Sequence, residues 1–249
     1  MKPEIEEAKR KAALEAVKHI QDQTVIGLGS GTTIAYAIEA IGERIKLENL
    51  NVKGIPTSTQ AFQLAVKNGI PVTTLEENPE IDLTIDGADQ VDPNLNLIKG
   101  MGAALLREKI VASSSRQNII VVDENKKVNI LGEKTHPVPI EVLPFSSAYV
   151  KRRIRAIGGK AELREGKGKL GPVITDNGNM VLDAIFGEIY DPTVLGIKIK
   201  MIPGVMETGL FVELADIVYF GSTSSVEKQE SNRKWFSTRK PVSQRLTQF

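Results

Sequence analysis

The chain has 249 residues and no cysteine. That excludes disulfides, thiolate metal sites and a cysteine nucleophile, and it fits a reducing, cytoplasmic setting. Histidine is scarce as well: His19 and His136 are the only two, and their separation gives no metal-ligand spacing. Catalytic proton transfer therefore falls to carboxylates and lysine. An excess of either charge is also missing. The net charge is +1, which gives no electrostatic case for nucleic acid as a partner. No apolar run reaches the roughly 18–20 residues of a membrane span, so no membrane partner is expected. The N-terminus, Met1–Glu7, is too acidic and polar for a signal peptide. There is no internal repeat.

What is present is strand–helix alternation. Residues 4–20 place Ala8, Ala12, Leu14, Val17 and Ile20 among charges at a helical period. Strands are predicted at Val25–Leu28, Val52–Ile55, Pro71–Leu75, Ile81–Ile85 and Asn118–Val122. Helices are predicted at Thr33–Ile45, Gln60–Lys67 and Ala103–Ala112. Short β-branched runs between helical stretches argue for an α/β fold, a mostly parallel sheet with helices on both faces. Ligands bind such sheets at the carboxyl ends of the strands.

After about residue 130 the pattern becomes α+β. Pro137–Val142 reads as a strand and Ser147–Ile157 as a helix. Val173–Asp176 and Met180–Asp183 read as strands flanking Asn177-Gly178, a type I′ hairpin signal. Gly209–Glu213 and Asp216–Phe220 read as strands returning to the first unit. The expected organisation is a catalytic α/β domain from 1–129 and 207–236, with a small α+β domain at 130–206. From Ser222 onward the chain carries a net +4, against −3 for the remainder. Val226–Trp235 is read as a possible short helix, and 237–249 as a disordered basic tail.

Three segments carry chemistry. Gly27-Leu28-Gly29-Ser30-Gly31-Thr32-Thr33 follows a strand and opens a helix. Its backbone amides and the hydroxyls of Ser30, Thr32 and Thr33 suit a phosphate. It is neither a Walker A loop nor a dinucleotide fingerprint, and an ordinary tight turn remains the other reading. Asp86-Gly87-Ala88-Asp89 lies just past a strand, where one aspartate can face the crevice and the other cap a turn. Lys99-Gly100-Met101-Gly102 enters a helix bearing Glu108. A lysine there can hold an anionic oxygen, whereas Glu108, between Arg107 and Lys109, also reads as a solvated helix charge. Lys126 and Lys127 follow a strand as surface residues or a further anion contact.

In combination these segments resemble the type A ribose-5-phosphate isomerases, from about Glu6 to Gly221. The resemblance rests on Gly27–Thr33, Asp86–Asp92, Lys99–Lys109, Pro137–Val142, Val173–Asn179 and Ile202–Val205, in that order and spacing. It implies a Rossmann-like sheet and a cofactor-free, metal-free exchange of ribose 5-phosphate with ribulose 5-phosphate. It carries over Glu108 as the base moving a proton between C1 and C2. Asp86 assists ring opening, and Asp89 and Lys99 orient hydroxyls and stabilise the enediolate. Ser30, Gly31, Thr32 and Thr33 line the sugar-phosphate site, with Gly87, Ala88, Gly100, Met101 and Gly102 beside it. Lys126 and Lys9 approach the phosphate. The resemblance also implies a homodimer or homotetramer.

Three features depart from the family pattern. Gln90 stands where a glutamate is usual, Met101 intrudes among glycines, and the basic tail has no counterpart. The alternatives are a sugar-phosphate-binding regulatory module of the same fold and a coenzyme A transferase-like enzyme. A regulator would need an N-terminal helix-turn-helix, and a single helix precedes the first strand. A transferase would need a pantetheine groove that the sequence does not reveal.

Overall fold

A computed structural model describes residues 3–168 and 170–232. In chain order the first half comprises α1 (Pro3–Val17), β1 (Thr24–Leu28), α2 (Thr32–Glu48), β2 (Val52–Pro56), α3 (Thr59–Lys67), β3 (Ile81–Asp86), β4 (Gln90–Val91), β5 (Leu97–Ile98), α4 (Leu105–Ser114) and β6 (Ser115–Asp123). The second half comprises β7 (Val138–Val142), α5 (Ser147–Ala156), β8 (Lys160–Leu163), β9 (Met180–Ile185), α6 (Pro192–Lys200), β10 (Val205–Thr208), β11 (Leu210–Phe211), β12 (Ile217–Gly221) and β13 (Val226–Glu230).

The central sheet has six strands in the order β13-β12-β6-β3-β1-β2. All pairings are parallel except β12 with β13. Alternation along β6 sorts its side chains between two cores. Ile119 and Val121 join Ile26, Leu28, Ile85, Ile217 and the small faces of α1 and α2 on one side. Ile120 and Val122 join Leu97, Leu105, Val218 and Phe211 on the other. Each fully buried Ile or Leu stabilises the fold by about 1.5–3 kcal/mol. Ala12, Ala13 and Ala16 are completely buried, and so small a face lets α1 lie close on β6 and β12.

A second, antiparallel sheet runs β10-β7-β9-β8. The α5 residues Val150 and Ile154, and Ile199 of α6, complete its separate core. A short antiparallel sheet, β11-β5-β4, lies between the two units. Its adjacent residues face opposite ways: Leu97 and Phe211 enter the core of the central sheet, whereas Ile98 and Leu210 enter that of the second.

Several expectations are corrected. Pro71–Leu75 is not a strand. The chain touches β2 through a single bridge at Val72, since Pro71 has no N–H to offer and Thr74 opens a turn. Residues 226–230 form the edge strand β13 rather than a helix. Ser222 accepts from the amides of Ser224 and Ser225 and turns the chain back on β12. The charges of β13 are those of a protected sheet edge. Residues 173–176 make only an isolated bridge, Ile174 to Met180. Their turn is not type I′. Gly178 has φ +77°, Asn177 is not left-handed, and the Gly178 amide bonds Thr175 O. That is a type I turn closed by a left-handed glycine, the three-residue hairpin form. Of Gly209–Glu213, only Leu210–Phe211 is strand, and it pairs in the short sheet. The expected tail, 237–249, together with Trp235 and Phe236, lies outside the described residues.

Candidate active site

Five chain segments converge where strands of the central and short sheets end: the residues after β1, β2, β3, β5 and β6. They surround a cleft of about 650 Å³.

Its floor is Lys99. The β5–β11 pairing carries the chain there, and the Lys99 amide bonds Gly209 O at 2.9 Å. The side chain is 4% exposed. Its ammonium donates to Gly87 O at 2.6 Å and lies 3.0 Å from Asp86 Oδ2 and 3.3 Å from Glu108 Oε2. Both carboxylate contacts are ion pairs outside hydrogen-bond geometry, so each oxygen remains without a hydrogen bond. Phe211 closes the back, its ring centre 5.3 Å from the ammonium.

Glu108 belongs to the first turn of α4, near the positive end of that helix. Burial, and next the Asp86 carboxylate, push its carboxyl up to about 8 against the pull of Lys99. Burial alone would discharge Lys99, but Asp86 and Glu108 outweigh it and hold the ammonium above the usual lysine range. The two carboxylates raise the lysine, whereas burial and the neighbouring carboxylate raise the glutamate further than the one shared cation lowers it.

Asp86 Oδ1 accepts from the amides of Gly87 at 2.7 Å and Ser30 at 3.3 Å. This contact requires Gly29, where a Cβ would stand 2.1 Å from Asp86 Oδ1. Asp89 Oδ2 accepts from the Met101 amide at 3.0 Å, which ties the loop after β3 to the loop before α4.

The other end of the cleft is polar. Gly31, Thr32 and Thr33 open α2, and Lys9 reaches in from α1. Its ammonium is 3.0 Å from both Thr32 Oγ1 and Glu6 Oε1. Ser30 Oγ bonds Thr57 Oγ1 at 2.8 Å and Ser58 Oγ at 2.6 Å. Lys126 also lines the cleft, whereas Lys127 pairs with Glu227 at 2.7 Å and is not part of the lining.

The cleft thus gathers nearly every residue singled out from the sequence. Lys9, Ser30, Gly31, Thr32, Thr33, Gly87, Ala88, Asp89, Lys99, Gly100, Gly102, Glu108 and Lys126 line it. Asp86 sits directly behind, against Lys99. Met101 is the exception, contributing its amide while its side chain is 45% exposed.

A family model described as ribose 5-phosphate isomerase A (phosphoriboisomerase A) matches residues 53–225. The chain belongs to this family. Ribose-5-phosphate isomerase A of Pyrococcus horikoshii is 48% identical over 227 residues, covering 91% of this chain and 99% of the relative. The human ribose-5-phosphate isomerase is 48% identical over 219 residues, 87% of this chain and 70% of the relative. A solved D-ribose-5-phosphate isomerase in complex with phospho-erythronic acid superposes with a TM-score of 0.88 at 48% identity, covering 91% and 99% of the two chains. The isomerase of Plasmodium falciparum superposes at 0.85 with 38% identity, covering 92% and 100%.

Within this isomerase the departure at residue 90 has a local reason. Gln90 is buried away from the cleft, donating to Glu133 O at 3.1 Å and accepting from the Gly132 amide at 2.8 Å. An ionised glutamate has no donor for the first of these bonds. The sequence reading missed Ser58, Gln60 and Asp176 in the lining. Ser58 had a signal, since it lies between a strand and a helix and caps α3 through the Ala61 amide. Gln60 accepts from the Gly31 amide at 3.1 Å, and Asp176 arrives from a hairpin over a hundred residues away, so neither had one.

Proposed function

We propose that the Lys99–Glu108–Asp86 cluster is the reaction centre at which this aldose–ketose isomerase interconverts ribose 5-phosphate and ribulose 5-phosphate. The observation that carries the reading is a buried ammonium between two carboxylates, one of them with its proton affinity raised toward neutrality.

The phosphate rests on the α2 amides and the hydroxyls of Ser30, Thr32 and Thr33, with Lys9 and Lys126 supplying positive charge. Asp86 assists opening of the furanose by moving a proton between the ring oxygen and the anomeric hydroxyl. Glu108 removes the C2 proton of the open aldose, and the C–H electron pair becomes the C1–C2 double bond of an enediolate. The negative oxygen is held by Lys99, with Asp89 orienting the adjacent hydroxyl. A proton passes from the C2 hydroxyl to the C1 oxygen, Glu108 returns its own proton to C1, and the C2 oxygen becomes the carbonyl of the ketose. A base whose pKa lies near the operating pH both takes and returns a proton readily.

Family membership favours this reading over the regulatory-module and coenzyme A transferase alternatives. It is tested by assaying ribose 5-phosphate turnover with EDTA present, and by a pre-steady-state measurement on Asp86→Asn that separates ring opening from proton transfer. Unchanged ring opening in the variant removes Asp86 from that role.

Three further readings belong to the proposal. Residues 130–206 form a small α+β domain on a catalytic domain of 1–129 and 207–236, supported by the separate core of the second sheet. The enzyme assembles as a dimer or tetramer, supported by exposed Leu143, Phe145, Met201 and Met206 on that small domain, with Phe145 98% exposed. Light scattering coupled to size exclusion tests it, and a monomer refutes it. The protein is cytoplasmic, supported by its lack of cysteine. No helix among the described residues is long and apolar enough to cross a membrane.

A further inference from the structure

Two sequence stretches have no part in the chemistry above, Pro137–Val142 and Val173–Asn179. They meet at one side chain. Glu141, on β7, is completely buried. Its Oε1 accepts from Thr175 Oγ1 at 2.9 Å, Asn177 Nδ2 at 2.9 Å and Asn179 Nδ2 at 2.8 Å. Its Oε2 is buried without a hydrogen bond, and no cation pairs with it among the described residues. A buried carboxyl so placed costs stability on its own account. One oxygen nevertheless holds alternate residues of a five-residue hairpin.

The outer side of that hairpin holds the cleft. Asp176 Oδ2 accepts from the Thr59 amide at 2.7 Å, at the head of α3 between the lining residues Ser58 and Gln60. Ser58 in turn bonds Ser30. The Asp176 carbonyl accepts from Arg107 Nη2 at 2.9 Å, and Asn177 Oδ1 accepts from Arg107 Nε at 2.7 Å. Arg107 directly precedes Glu108. The hairpin therefore bridges the phosphate-side loops and the helix that carries the base.

We infer that Glu141 is a positioning residue for the isomerisation, fixing the Thr175–Asn179 hairpin as a wall that sets the spacing between the phosphate cradle and Glu108. The inference rests on the proposed roles of those two elements. It separates two effects within one hairpin. Loss of the Asp176 carboxylate frees the head of α3 and loosens the phosphate side. Loss of the Asn177 amide removes one of the two bonds that hold Arg107 to the hairpin and loosens the base.

The test is steady-state kinetics on the full chain for Glu141→Gln, Asp176→Ala and Asn177→Ala, with circular dichroism and Tm recorded for each. Asp176→Ala is expected to raise KM by about fivefold or more with kcat little changed, and Asn177→Ala to lower kcat by a similar factor. Glu141→Gln keeps the shape but turns one oxygen into a donor with no acceptor. It is expected to do both, lowering kcat/KM at least about tenfold. A Glu141→Gln protein that is folded, lowers only Tm and keeps both constants overturns the inference, because its role is then structural alone. If Glu141→Gln does not fold, the two hairpin variants decide, and wild-type constants in both overturn it. Wild-type protein without isomerase activity would instead refute the catalytic reading beneath, so the two failures are distinguishable.

Discussion

Two lysines, Lys99 buried and Lys109 partly buried, lie against the same aromatic ring and are tuned in opposite directions. The ammonium of Lys99 is 5.3 Å from the centre of Phe211, and that of Lys109 is 4.7 Å away. Lys109 donates to Glu207 Oε1 at 3.0 Å, Thr208 O at 2.5 Å and Leu210 O at 2.9 Å. Burial outweighs its one carboxylate, and its proton is held less tightly than in an ordinary lysine. Lys99 has one carbonyl partner and two carboxylates, and its proton is held more tightly. Both are desolvated, so burial does not decide the outcome. The number of carboxylates does. Lys109 satisfies its three donor hydrogens and fastens α4 to β10 and β11. Lys99 leaves carboxylate oxygens around it without hydrogen bonds, and that unmet acceptor capacity suits a hydroxyl donor.

The severest break removes the base beside Lys99. Glu108→Gln is expected to lower kcat by about 10²–10⁴-fold with the fold intact, and a variant within tenfold of wild type ends the assignment. Next is Lys99→Met, which deletes a charge-assisted contact of about 1.5–3 kcal/mol and should lower kcat/KM at least tenfold. It should also move the acid limb of the kcat/KM profile to higher pH, because Glu108 loses its only close cation. In wild type that limb should lie near 8, since the base must be deprotonated to act. The matching change on the other side of the ring, Lys109→Met, should lower Tm by several degrees while kcat stays within about threefold. A large loss of kcat at unchanged Tm would show that the two lysines do not divide the labour in this way.

A smaller effect sharpens the comparison through stability. The Glu108 carboxyl binds its proton more tightly folded, at about 8, than unfolded, at 4.5. Between those values the native state holds more protons, so wild-type stability falls as pH rises. Glu108→Gln lacks this slope, and its Tm relative to wild type should climb from pH 5 to pH 8. A constant difference would place the Glu108 pKa near its ordinary value. Truncation after Phe236 should change neither activity nor Tm, and a loss of either would make the tail part of the enzyme.

The elements of the central sheet were legible because β-branched runs and helical periods are local signals. The cluster at the cleft was legible because Asp86, Asp89, Lys99 and Glu108 fall within one stretch of chain with recurring motifs. What was not legible was the division of roles within Arg107-Glu108-Lys109. Three adjacent charges on a short helix read alike until the helix is placed. Arg107 then meets the hairpin, Glu108 the cleft and Lys109 the second sheet. Asp176 was invisible for a similar reason, since its partner, the Thr59 amide, is far away in sequence. The strand β13 was misread because Glu, Lys and Gln favour a helix unless a hairpin turn and an open sheet edge claim them.

The amide of Lys99 bonds Gly209 O, and α1, which carries Lys9, packs against β12. Both anchors lie near the end of the described chain. During synthesis the motifs proposed to hold the phosphate and the base emerge early, but Lys99 lacks its Gly209 anchor and the Phe211 ring until residues beyond 207 have left the ribosome. Parallel pairings between strands so distant in sequence also form slowly. The nascent polypeptide therefore lacks a finished cleft floor for most of its translation, and β11 supplies the missing piece late.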